Sequence, residues 1–145
     1  MGVSTDGILF YGICLEEEAE IPWEGADEGD VDDVESYYAS KAGVKPPEEE
    51  YSDDPKVKEL YHEYWEAKNK AHEASKCDVV HHCSYDYPMF GLAVKESVES
   101  ANRGYPQEVK SIAVQEDWDS LLKDYCEKMD VEYVQPKWWL VSMWG

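Results

Sequence analysis

The sequence predicts an α+β fold, a mainly antiparallel sheet with two main helices packed on one of its faces, and three observations carry that expectation. Apolar runs of strand length stand near both ends of the chain, Ile8 to Leu15 and Trp138 to Trp144. Two stretches, from Asp54 to about Ser75 and from Glu116 to Met129, repeat their apolar residues at helical spacing. Between them lie short β-branched and aromatic runs separated by turn residues. With 145 residues, 43% of them apolar and 6 Trp and 11 Tyr among them, the chain is expected to form one domain, 1–145, around a packed core.

Each element has its own local justification. Ile8 to Leu15 is broken only by Gly12, which suits a strand buried on both faces. An acidic segment from 16 to 54 follows, read as a loop to Gly29 and a short helix from Asp30 to Lys41 with Val31, Val34, Tyr38 and Tyr37 inward and Gly43 as its stop. Pro46-Pro47 and Glu48-Glu49-Glu50 then form an extended connection. Asp54 is a helix cap and Pro55 the first helical residue, ahead of the stripe Val57, Leu60, Tyr61, Tyr64, Trp65, Lys68 and Ala71. Val79 to Ser84 and Met89 to Val94 predict a hairpin around Tyr85 to Pro88, and Asn102 to Pro106 a turn before a further strand at Val109 to Val114. Trp118, Leu121, Leu122, Tyr125, Cys126 and Met129 share one face of the second main helix. Trp138 to Trp144 is expected to be a strand covered on each side.

Charge is the most informative feature. There are 33 Asp and Glu against 13 Lys and Arg, a net −20, with Arg103 the only arginine. From Glu16 to Asp54 there are 16 acids against Lys41 and Lys45, a net −14 in 39 residues that leaves −6 for the other 106. Direct attraction to nucleic acid or to an anionic membrane is excluded, because both need clustered cations. The N-terminal stretch lacks a basic region and cleavage site, and no apolar run approaches membrane-spanning length, so a cytosolic setting with reduced cysteines is expected.

Reactive chemistry has little local support. Cys77, His81, His82 and Cys83 lie close in sequence, with His62 and His72 on the preceding helix, yet zinc needs four converging ligands and adjacent strand histidines face apart. The acidic run Asp27 to Asp33 fails the calcium-loop pattern, since counting from Glu28 places Asp33 where glycine is required and Ala39 where glutamate is. Cys14 or Cys83 could meet a distant histidine, but a strongly negative field disfavours a thiolate. No glycine-rich loop suits phosphate, and no cofactor or metal is implied. The aromatic groups Tyr85, Tyr87, Phe90 and Trp138, Trp139, Trp144 are expected to divide between core and interface.

Several short motifs carry a resemblance. Ser4-Thr5-Asp6-Gly7, Phe10-Tyr11-Gly12, Pro22-Trp23-Glu24, Cys83 to Met89, Arg103-Gly104-Tyr105-Pro106 and Trp138 to Gly145 resemble, in the same order, a group of small acidic proteins of tailed bacteriophages. The resemblance implies a phage origin and a host-cytoplasm setting, and assigns no catalytic motif. By analogy of context it suggests an inhibitor of host defence, of the anti-CRISPR or anti-restriction kind.

The expected role is stoichiometric binding to a basic, nucleic-acid-binding host protein, with carboxylates standing where phosphates would lie. Duplex DNA carries one charge per ~1.7 Å of axis, so twenty charges correspond to about 34 Å, the scale of a small domain. The expected partner-binding residues are Glu16, Glu17, Glu18, Glu20, Trp23, Glu24, Asp27, Glu28, Asp30, Asp32, Asp33, Glu35, Glu48, Glu49 and Glu50. Solubility alone calls for a net charge of only about 2–8 in magnitude. The alternatives are a small cysteine- or metal-dependent hydrolase acting on a host component, and a phage accessory protein without a defence target.

Overall fold

The computed structural model describes residues 5–17, 19–23, 33–84 and 86–144. It is an α+β structure with five strands, three α-helices and one 3-10 turn among the described residues. The chain divides into two compact units, residues 21–75 and the remainder, Met1–Glu20 with Lys76–Gly145.

The larger unit is built on β1 (Thr5–Cys14), which has partners along both edges. One edge pairs antiparallel with β5 (Lys137–Trp144) over eight positions, from Thr5 opposite Trp144 to Gly12 opposite Lys137. The other edge meets β4 (Glu99–Ala101) through Gly7 to Leu9 and β3 (Pro88–Val94) through Gly12 to Cys14. Between β3 and β4 the 3-10 turn Lys95–Ser97 interrupts the ladder, and buried Ser97 replaces the missing partner: its Oγ accepts the Tyr11 N–H at 2.9 Å and donates to the Val94 carbonyl at 2.6 Å. An unpaired buried amide is thereby avoided.

β2 (Cys77–Cys83) forms the expected hairpin with β3, and at its far end Cys83 pairs parallel with Met143 of β5. The sheet is therefore mixed, and its pairings run β1, β3, β2, β5 and back to β1. Two glycines permit this closure. A Cβ at Gly12 would collide with the Leu92 carbonyl oxygen, and one at Gly91 would meet the Phe10 ring. Phe10, Val80 and Ala93 form the buried cluster on one face, with Ile8, Val98, Trp139 and Val141 packed against it.

α3 (Trp118–Met129) packs on β3 and β2 and buries Trp118, Leu122, Tyr125, Cys126 and Met129, in keeping with the apolar face expected of it. Tyr11 ties helix to sheet. Its ring meets Trp118 and Trp138 at 5.7 and 5.6 Å, and its hydroxyl donates to Asp119 at 2.6 Å. Burial and the neighbouring Asp119 carboxylate push the Tyr11 pKa up to about 12.

Four expectations need correction. The described residues hold three α-helices; α3 packs on β3 and β2, whereas α1 and α2 belong to the other unit and pack on one another. The sheet is mixed because β2 reaches β5 in parallel. The segment Val109 to Val114 is no strand: Asn102 to Asp117 are all exposed, and the segment has no place among the paired strands of the sheet. β5 is covered only in part on its second face, where Trp138 packs on Tyr11 and on Trp118 of α3 while Leu140 is 78% and Trp144 57% exposed.

Candidate functional site

Residues 21–75 hold most of the expected partner-binding segment, with 16 acids against 6 lysines, a net −10 in 55 residues. α1 (Asp33–Lys41) buries Tyr38 and Ala39 and ends in a glycine-dependent cap. Gly43 adopts φ +89°, its N–H bonds the Ser40 carbonyl at 3.1 Å, and the Val44 N–H bonds the Ala39 carbonyl at 2.8 Å. α2 (Pro55–Ala74) starts where its cap sequence places it, since the Asp54 carboxylate accepts the Lys56 N–H at 2.9 Å. His72 of α2 faces Glu35 of α1 at 3.9 Å.

The connection between the helices is pinned along α2. Tyr61 donates its hydroxyl to the Glu49 carbonyl at 2.8 Å, and Lys58 pairs with Asp53 at 3.6 Å. Glu48, Glu49 and Glu50 are thereby held against the helix with their side chains exposed. Beside them the rings of Tyr51, Tyr61 and Trp65 meet with centroids 5.3 to 6.0 Å apart. Next to this cluster runs a groove of about 590 Å³, floored by Val44, Pro47, Leu60, Tyr64 and Ala67 and edged by Glu48, Glu49 and Glu63. No residue of α2 is buried, although its apolar stripe predicts a packed face. Within the stripe Leu60 and Trp65 are exposed, and Val57, Tyr61, Tyr64, Lys68 and Ala71 are half-buried.

The remaining expected binding residues fall in three places. Glu16, Glu17 and Glu20 are exposed and belong to the sheet unit. Glu35 is half-buried beside His72, and Trp23 is only 1% exposed, so its ring offers no open face. Glu18, Glu24, Asp27, Glu28, Asp30 and Asp32 lie outside the described residues, as do Val31 and Tyr85, and Asp33 opens α1.

One chemical juxtaposition spans a long stretch of sequence. Cys14 Sγ of β1 lies 3.8 Å from Nε2 of His82 on β2, while His81 faces the other way and packs on Phe90 at 5.5 Å. Burial raises the Cys14 pKa, and burial together with His81 lowers that of His82, so thiol and imidazole are both neutral near pH 7. Cys14 also borders a cavity of about 430 Å³ lined by Glu16, Glu20, Asp130 and Glu132, a setting hostile to a thiolate. Burial holds Cys77 and Cys126 up to about 12 and about 11, as inert core thiols. Among the described residues no three His, Cys, Asp or Glu side chains converge as a metal site, and no helix is long and apolar enough to cross a membrane.

No family model, curated protein or solved structure matches this chain. The surface must therefore be interpreted from its own chemistry.

Sequence reasoning missed two features. It places Tyr61 and Trp65 in one apolar helical stripe, where the i, i+4 spacing is visible but the exposure of Trp65 and its contact with Tyr51 are not. It also had no signal for Cys14 beside His82, which depends on the β1–β3–β2 register.

Proposed function

We propose that the protein acts by stoichiometric binding to a basic, nucleic-acid-binding host protein, as a phage-encoded inhibitor of the anti-defence kind. The observation that carries this reading is the exposed acidic run Glu48–Glu50, held in place along α2 within a unit of net −10. Carboxylates fixed on a scaffold lose less conformational freedom on binding than carboxylates on a loose chain. Their field also steers a cationic partner at low salt. The likeness of the chain's short motifs to phage proteins supports the setting and adds no residue role.

Affinity capture from a bacterial lysate tests the reading. The expected partner is basic, is released as salt rises from ~50 to ~200 mM, and is displaced by duplex DNA added as competitor. Salt-insensitive capture of proteins with no affinity for nucleic acid would refute it. The Cys14–His82 contact favours a second reading, a small cysteine-dependent hydrolase. That reading requires Cys14 to be alkylated by iodoacetamide at pH 7 faster than Cys83, and equal or slower labelling removes it.

A further inference from the structure

We propose that Tyr51, Tyr61 and Trp65 form an arginine anchor, a cluster of tilted and edge-to-face rings on whose exposed face a guanidinium of the basic partner lies while the neighbouring carboxylates take its N–H groups. The proposal rests on the reading that this surface binds a basic protein, and it names the side chain recognised. Tyr51 is 54% and Trp65 45% exposed, so each ring keeps a large part of its surface open to solvent while its other contacts lock the cluster together. Surface aromatics held in this way are rigid and enter an interface at low entropic cost.

The charges around the rings select the occupant. Glu48, Glu49 and Glu50 immediately precede Tyr51, Asp53 and Asp54 follow it, and Tyr61 binds the backbone of Glu49 directly. An aromatic face in such a field attracts cations and repels phosphate. The same unit already seats two of its own ammonium groups over tyrosine rings, Lys41 at 5.2 Å from Tyr37 and Lys68 at 5.6 Å from Tyr64. Arginine fits better than lysine, because its planar guanidinium stacks on a ring and forks to carboxylates at once. In proteins that bind single strands, arginines stack on exposed bases while other cations meet phosphates. Rings beside carboxylates offer both halves of that pattern.

The full-length protein, with a labelled 12-residue Gly/Arg peptide at ~50 mM salt, provides the test. Fluorescence anisotropy is compared for that peptide, its lysine counterpart and its neutral citrulline counterpart. The expected result is Arg tighter than Lys by about fivefold, little binding of citrulline, and a loss of about fivefold for Arg alone in Trp65→Ala and in Tyr51→Ala. Trp65→Phe should keep most of the Arg preference. Tyr51 lies outside the helices, so Tyr51→Ala decides the matter if Trp65→Ala disturbs α2. Equal affinities for the Arg and Lys peptides, or losses in the variants that are the same for both, overturn the anchor while leaving the carboxylate surface standing. Failure of both cationic peptides to bind overturns the anchor and the proposed function together.

Discussion

In the sheet unit the central strand β1 takes its partners from distant parts of the chain, whereas in residues 21–75 the two helices that pack together are neighbours in sequence. β1 near the N-terminus takes β5 near the C-terminus along one edge and β3 and β4 along the other, and Phe10, Leu92, Leu122 and Met129 are fully buried. α1 and α2 are joined by the 13 residues 42–54, and α2 has half-buried residues but no fully buried one. The two units carry equal net charge, −10 each, but the helical one has 55 residues and the sheet one 90. Stability is therefore concentrated in one unit and charge density in the other.

The strongest way to break this comparison is to remove a strand. Deleting Trp138 to Gly145 takes seven of the eight β5 ladder positions from β1, the indole bond from Trp139 to the Gly12 carbonyl, and the Trp138 contacts with Tyr11 and Trp118. Truncating a fully buried large aromatic costs ~3–5 kcal/mol, and the half-buried Trp138 and Trp139 together forfeit a comparable amount, against ~5–15 kcal/mol for a whole domain. The truncated chain should have no cooperative melt by calorimetry. Gly12→Ala should cost about 3 kcal/mol or more in urea unfolding, because the new methyl group meets backbone that must shift.

Alkaline pH sharpens the comparison without mutation. Cys126, Cys77 and Tyr11 all have raised folded pKa values, about 11, about 12 and about 12, so the folded state holds them neutral after the unfolded chain has begun to ionise. Their contribution is complete below the ordinary thiol pKa near 9 and is lost as pH rises from there to about 12. Near-ultraviolet circular dichroism should show the tertiary signal of the sheet unit failing in that window. In Tyr11→Phe, which also loses the bond to Asp119, the part of the decline between pH 10 and 12 should shrink.

Smaller effects belong to the helical unit. Asp54→Ala removes the α2 cap and should cost about 1 kcal/mol of helix stability, seen as lost helical dichroism while the near-ultraviolet signal of the sheet unit persists. Replacing Glu48, Glu49 and Glu50 together with Gln should leave Tm unchanged or slightly raised, since self-repulsion falls, while capture of the basic partner weakens. A lower Tm in that variant would mean that the run supports the fold as well as the surface.

Legibility in the sequence followed how local each signal is. β1, α2, α3, the β2–β3 hairpin and β5 lie within a few residues of their expected positions, because apolar spacing, Asp54-Pro55 and Gly43 act within one element. Val109 to Val114 has strand-forming residues and no neighbouring strand, whereas Glu99–Ala101, with a weak strand composition, is a strand because β1 supplies its partners. The parallel contact of Cys83 with Met143, the meeting of Cys14 with His82 and the exposed face of β5 all depend on which elements become neighbours. Trp65 teaches the same lesson for the site. An apolar stripe on a helix predicts that something covers it, and in this chain Leu60 and Trp65 of that stripe stay exposed.

Hydrogen exchange of the full chain, alone and saturated with the basic partner recovered by capture, tests the central claim most directly. Binding at the acidic aromatic surface predicts slowed exchange across residues 45–66, with β1, β2, β3 and β5 unchanged. Slowing confined to the sheet unit, at the exposed face of β5 or along Asn102 to Asp117, would contradict it.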